Sequence, residues 1–180
     1  SDENSDSVTL LKEEPLTVAE VNKYGVGHVN VNVYSDYKGT AYDKNGYGGM
    51  AYYSSETCGY TSASGYKTSV ETGCTTDYAK SEVKYVVDAW SLDKLKASDL
   101  KEDKTGYRVR LITYDELINN LGCSSTSSSC ASSPYKIFLF NSNYWYWTMS
   151  QYEDSTSYVL NVYYDGYVKI HDVYIVDGSV

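Results

Sequence analysis

Apolar and polar positions along the chain alternate in blocks that predict helices in the first two thirds and strands in the last third. Val8-Thr9-Leu10-Leu11 reads as a short strand after a polar, acidic lead-in over residues 1–7. After Pro15, Thr17 is placed to cap a short helix, with Glu20 three residues on completing a capping box and Tyr24-Gly25 ending it. Residues 28–76 are interrupted by Gly39, Gly46, Gly48, Gly49, Gly59, Gly65 and Gly73 and read as a long loop-rich stretch. Periodicity returns at Thr76, a candidate cap for a helix reaching about Leu95. Its Val83, Val86, Val87 and Trp90 fall at i, i+3, i+4 and i+7 and form one apolar stripe.

Gly106 leads into residues 107–112, where alternate apolar positions predict a strand. Thr113-Tyr114-Asp115-Glu116 then forms a second capping box ahead of Leu117, Ile118 and Leu121, with Gly122 in place to end the helix. Beyond Pro134 the pattern is β. Residues 144–150 make an aromatic strand, and residues 158–164 and 167–171 are expected to pair across Asp165-Gly166 as a type I′ hairpin. Alternation places Tyr158, Leu160, Val162 and Tyr164 on one face and Val159, Asn161 and Tyr163 on the other; the second, more polar face is assigned to solvent or a partner. Two main helices followed by antiparallel strands define an α+β class.

The 180 residues suit one domain. A formal charge of −9 disfavours nucleic acid and anionic membranes, and no apolar run approaches the roughly 20 residues of a membrane span. The 22 Tyr against 2 Phe and 3 Trp change the picture most. Tyrosine with Ser, Gly and Asn is the composition of recognition surfaces, and also a habit of secreted β-rich proteins with half-exposed strands.

The four cysteines fall into two local pairs. Closing the shorter loops loses least entropy, so Cys58–Cys74 and Cys123–Cys130 are the expected disulfides, in an oxidising compartment. No Cys-x-x-Cys spacing supports zinc, and Asp36, Asp43 and Asn45 read as solvated turn residues rather than a calcium site. His28 and His171 lack a partner motif. No nucleophile elbow, zincin motif or phosphate loop occurs, and Glu153-Asp154 are expected to lie on opposite faces of a strand. A non-enzyme without metal or cofactor is therefore expected.

Leu10-Leu11-Lys12-x-x-Pro15-Leu16-Thr17, the run 105–122 and Asn143-Tyr144-Trp145-Tyr146-Trp147-Thr148-Met149-Ser150 with its following Asp-Gly hairpin resemble a family of surface domains in predicted secreted proteins of Gram-positive gut bacteria. The resemblance covers nearly the whole chain. Family members begin earlier and continue past the equivalent of Val180 with a further strand, so the resemblance implies one extracellular domain, 1–180, within a longer chain. Some relatives carry a prepilin-like N-terminal segment, which implies a filament or pilus subunit as an alternative role. The Trp-Thr-x-Ser strand is similar at greater distance to the C-type-lectin-like fold of formylglycine-generating enzymes and of retroelement-diversified binding proteins. There the solvent-facing C-terminal side chains contact the target, in positions matching residues 152–177 here.

These readings converge on an adhesin-like or lectin-like recognition module at the bacterial surface, binding a glycan or protein. The expected contact residues are Tyr152, Asn161, Tyr163, Asp165, Tyr167, Lys169, His171 and Tyr174.

Overall fold

The computed structural model describes residues 12, 15–25, 49–50, 52–53, 75–136, 145–156, 158–163, 165–173 and 178–179. The expected first strand, most of the 28–76 loop, His28, the Cys58/Cys74 pair and Tyr174 lie outside the described residues.

Helix α1 (Val18–Tyr24) is set by the capping box the sequence predicts: the Glu20 N–H donates to Thr17 Oγ1 at 3.2 Å, and the Thr17 N–H donates to the Glu20 carboxylate at 2.9 Å. The Gly25 N–H closes the helix onto Val21 O at 2.8 Å. Val21 and Tyr24 are buried against α2 (Glu82–Lys94), and the Tyr24 hydroxyl donates to Asp93 at 2.5 Å across the two helices.

The start of α2 departs from expectation. Ser81, in extended backbone, is its N-cap, accepting from the Lys84 N–H at 3.0 Å, and a separate 3₁₀ turn, Tyr78–Lys80, is capped by Asp77. Thr76 is not a cap because its hydroxyl donates elsewhere, to Ser155 O at 2.8 Å. The apolar stripe holds: Val83, Val86 and Val87 are buried, and Trp90 packs half-buried beside them.

Residues 107–112 do not form a strand. The chain bends at 108–109, and the segment runs between the two halves of the core, with Tyr107, Val109 and Leu111 packed on one apolar cluster and Ile112 on the other. Its alternation records this sidedness without a partner strand. Arg110 pins the segment, donating to Asp103 at 2.7 Å and to both Glu116 oxygens at 2.8 and 2.6 Å. Helix α3 (Tyr114–Asn119) begins immediately after, with the Thr113/Glu116 capping box in place and Leu117 fully buried. Gly122 follows at φ +69, where a Cβ would stand 3.3 Å from Pro134 Cδ.

A mixed sheet occupies the C-terminal part. Antiparallel β2 (Tyr146–Gln151), β3 (Tyr158–Val162) and β4 (Val168–Asp172) form its body, and the two-residue strands β1 (Gly49–Met50) and β5 (Gly178–Ser179) complete the order β1-β5-β2-β3-β4. β5 pairs antiparallel with β1 and, at Tyr146↔Ser179, parallel with β2.

The β3–β4 connection is not the expected two-residue I′ turn. The ladder pairs Val162 with Val168, and Tyr163 donates to Tyr167 O at 2.8 Å, so three residues, 164–166, separate the paired ends. Gly166 takes φ +82, the glycine position of a three-residue hairpin.

β2 carries a wide bulge. Trp147 pairs with Asn161 and Gln151 with Val159, so residues 148–150 lie opposite Leu160 alone. Fully buried Thr148 fills the gap, its hydroxyl donating to Leu160 O at 2.7 Å. The bulge turns Met149 N–H toward Ile112 O at 3.0 Å and Ser150 Oγ toward the Tyr114 N–H at 2.9 Å, docking α3 on the sheet.

Both sheet faces are covered. Tyr52, Trp145, Trp147 and Val159 join α1 and α2 in one cluster, while Val162 and Val168 join Leu117 and the Cys123–Cys130 disulfide in the other. Tyr52 packs edge-on to Trp147 at 5.6 Å, and burial pushes its phenol well above the usual range.

Two measurements test this framework. Thr148→Val leaves Leu160 O without its donor and is expected to cost about 1–3 kcal/mol in urea unfolding, against little change for a similar exchange at exposed Thr126. The second concerns Glu116. Hydrogen bonding from Arg110 holds its carboxyl down at about 2; Asp103, despite the opposing effect of burial, is held at about 2 by hydrogen bonds from Thr105 and Arg110. Depressed carboxylates contribute stability that is present above their unfolded pKa of about 4 and lost as pH falls toward about 2. Arg110→Met is therefore expected to destabilise at neutral pH, with the gap to wild type closing across that acid window. A gap independent of pH would remove the ion-pair account.

Candidate functional site

A cavity of about 620 Å³ opens on the α3 side of the sheet, lined by Tyr114, Ser128, Tyr152, Leu160, Val168, Lys169 and Ile170. Its floor is aliphatic because Leu160 and Ile170 are cross-strand partners projecting to one face, with Val168 two positions away on the same side. Tyr114 forms one wall from the first turn of α3, whose N–H is held by Ser150. Tyr152 forms another, just past the end of β2, with its N–H bonded to Tyr158 O at 3.0 Å.

The third wall is the disulfide loop. Ser124 and Ser129 exchange backbone hydrogen bonds of 2.7 and 3.1 Å, making a small hairpin within the Cys123–Cys130 bridge. That hairpin is laid on β4: Ser128 O accepts from the Val168 N–H at 2.7 Å, and the Cys130 N–H donates to Gly166 O at 2.7 Å. Ser128 holds φ +45, a left-handed conformation unusual for a residue with a side chain. The low-complexity serine run thus becomes an ordered wall.

The structure divides the expected contact residues. Tyr152, 36% exposed, lines the cavity; Lys169 borders it, but as the cross-strand partner of Asn161 it carries its ammonium to the other face of the sheet. Asp165 and Tyr167 stand exposed on the hairpin, where Asp165 accepts from the Tyr167 N–H and from Lys169 Nζ, both at 3.1 Å. Lys169 Nζ also lies 3.8 Å from the Tyr163 ring centroid. Tyr163 stacks on Trp145, which stacks in turn on half-buried His171 at 4.7 Å. These rings belong to the sheet face opposite the cavity.

Asn161 is a correction. It is 0% exposed, and its face, with Val159 and Tyr163, is the one packed on the α1/α2 core rather than the one turned to solvent. Its cross-strand partner is Trp147, and the tryptophan determines which way the face points. Neither amide atom of Asn161 has a hydrogen-bond partner among the described residues. Glu153 and Asp154 also differ from expectation: they sit in the turn after β2, with Glu153 at φ +48, and not in a strand.

The sequence reading missed Tyr114, Ser128, Leu160, Val168 and Ile170. Leu160 was assigned to the correct face of β3 but the opposite face was chosen for contact. The Trp145/Trp147 spacing is the signal that reverses that choice, since two tryptophans two positions apart, at and just before the start of β2, mark the core side. Nothing local marks Ser128.

No group of three or more His, Cys, Asp or Glu among the described residues is arranged to hold a metal ion, and no helix among them is long and apolar enough to cross a membrane. Compared with protein-family models, curated proteins and solved structures, the chain matches none.

The buried amide yields a direct test. Asn161→Leu removes two unbonded polar atoms from the core at nearly constant volume and is expected to raise the unfolding free energy by about 1–3 kcal/mol. A loss of that size in denaturant titration would show that the amide is bonded.

Proposed function

We propose that this chain is a non-catalytic recognition module of a bacterial surface protein, and that the cavity between α3, the disulfide loop and β4 is its binding site. The observation that carries the reading is the composition of that cavity: two tyrosines over an aliphatic floor, with Ser128 beside them. Such a lining buries an apolar ligand surface and orients it with few polar groups. Tyrosine does this at low entropic cost.

The Cys123–Cys130 disulfide supports an oxidising, extracellular setting. The C-type-lectin-like architecture, the kinship with surface domains of gut bacteria and the second disulfide are part of the same proposal. The architecture draws support from helices preceding a C-terminal antiparallel sheet.

Immobilised glycan and peptide arrays probed with the 180-residue chain are the test. Tyr152→Ala is expected to weaken the retained ligands about tenfold or more with no change in melting temperature. Ligands held equally well by wild type, Tyr152→Ala and Ile170→Asp would mean that recognition does not use this cavity.

A further inference from the structure

β4 ends the sheet among the described residues, and the ladder fixes which of its backbone groups face outward. The Tyr163 N–H bonds to Tyr167 O, so Asn161↔Lys169 and Val159↔His171 are the hydrogen-bonded pairs, and the backbone of Val168 and Ile170 points away from β3. Val168 confirms the phase, since its N–H is taken by Ser128 O at 2.7 Å. The disulfide loop thus begins an added antiparallel strand, with Ser129 bridged to Tyr167, and turns away at Ser128. One step further, the outward N–H and C=O of Ile170 make no hydrogen bond among the described residues. The Ile170 side chain, 48% exposed, lines the cavity at the same place.

Charge identifies the occupant further. Lys169, the cation bordering the cavity, is held by Asp165 with its ammonium over the Tyr163 ring on the other sheet face. Asp115 follows Tyr114, and Glu153 and Asp154 follow Tyr152; all three carboxylates are exposed and make no ion pair among the described residues. The chain as a whole carries −9. A sugar calls for directional amide or carboxylate partners, and the side chains lining the cavity include none, whereas an aliphatic floor beside an open strand edge fits a peptide.

We infer that the ligand of this site is an extended basic peptide, which continues the strand addition begun by the disulfide loop. It bonds through its backbone to Ile170, seats an apolar side chain between Tyr114 and Tyr152, and brings Lys or Arg to the flanking carboxylates. This inference rests on the recognition reading above.

The test uses short synthetic peptides in which apolar and polar residues alternate between basic ends, with acidic-ended versions as controls. The basic series is expected to bind the full chain, to weaken with added salt, and to lose about tenfold or more in affinity on Ile170→Asp or on the Glu153→Lys/Asp154→Lys double substitution. These positions are exposed, and unchanged melting curves establish that the variants fold. N-methylation of alternate peptide amides is expected to abolish binding in one phase and spare it in the other. Equal tolerance of both phases, equal binding of the acidic series, or occupation of β4 by a second copy of the chain in sedimentation would overturn the inference. If peptides fail while an arrayed glycan binds in a Tyr152→Ala-sensitive way, the peptide inference falls and the recognition reading stands. If no ligand of either class responds to Tyr152→Ala, both fall.

Discussion

The Thr148 hydroxyl, buried inside the bulge of β2 and bonded to Leu160 O, is the contact on which the arrangement of the C-terminal half depends. Three residues opposite one would leave a carbonyl in the sheet without a donor, and a buried orphan of that kind costs more than an ordinary hydrogen bond contributes. With the threonine supplying the missing donor, the bulge becomes affordable and its displaced backbone is put to use. Met149 reaches Ile112 and Ser150 receives the first N–H of α3. The helix therefore sits where the sheet's irregularity places it, and Tyr114 becomes a wall of the cavity as a consequence.

The orientation of the sheet follows from a different constraint. Trp147 is fully buried between Tyr52 at 5.6 Å, Trp145 at 5.1 Å and His171 at 6.1 Å, all near edge-on. Aromatic rings in this geometry contribute beyond their buried area. Once Trp147 of β2 and Trp145 just before it point toward α1 and α2, every residue in register with them on β3 must follow. Asn161 is carried inside by its neighbours, against its own polarity. Counting polar residues per face, as the sequence permits, gives the wrong face here because one amide weighs less than two indoles.

Most local signals were legible and long-range ones were not. Both capping boxes, the valine stripe of α2, the glycine ending α3 and the Cys123–Cys130 pair appear where the sequence places them, since each depends on residues within a few positions of one another. Residues 107–112 failed for the opposite reason. Their alternation is real, but a strand needs a partner, and the bonds that hold this segment come from Asp103, Glu116, the Tyr78 hydroxyl and a single carbonyl contact to β2. The hairpin failed by one residue: Asp-Gly correctly marked the turn, while the Val162↔Val168 register decided its length. Of the cavity, the sequence singles out Tyr152, while the walls from α3 and the serine loop are invisible in it, because they arrive from separate segments.

The same distinction separates two populations of tyrosine among the described residues. Tyr52, Tyr78, Tyr107 and Tyr163 serve the core through ring contacts with one another or with the tryptophans. Tyr135, Tyr152, Tyr158 and Tyr167 remain exposed. A phenol suits both duties, because its ring packs like phenylalanine and its hydroxyl tolerates water. What separates the populations is the rigidity of the surroundings. Tyr152 is held by a ladder bond beside a bulge, facing a helix pinned through Arg110 and a loop closed by a disulfide, so its ring stands among fixed walls. Fixed walls lower the ordering cost of binding, and that cost decides whether a modest apolar cavity binds at all. The serine loop is chemically plain and contributes stiffness, closed by its disulfide and laid along part of the β4 edge.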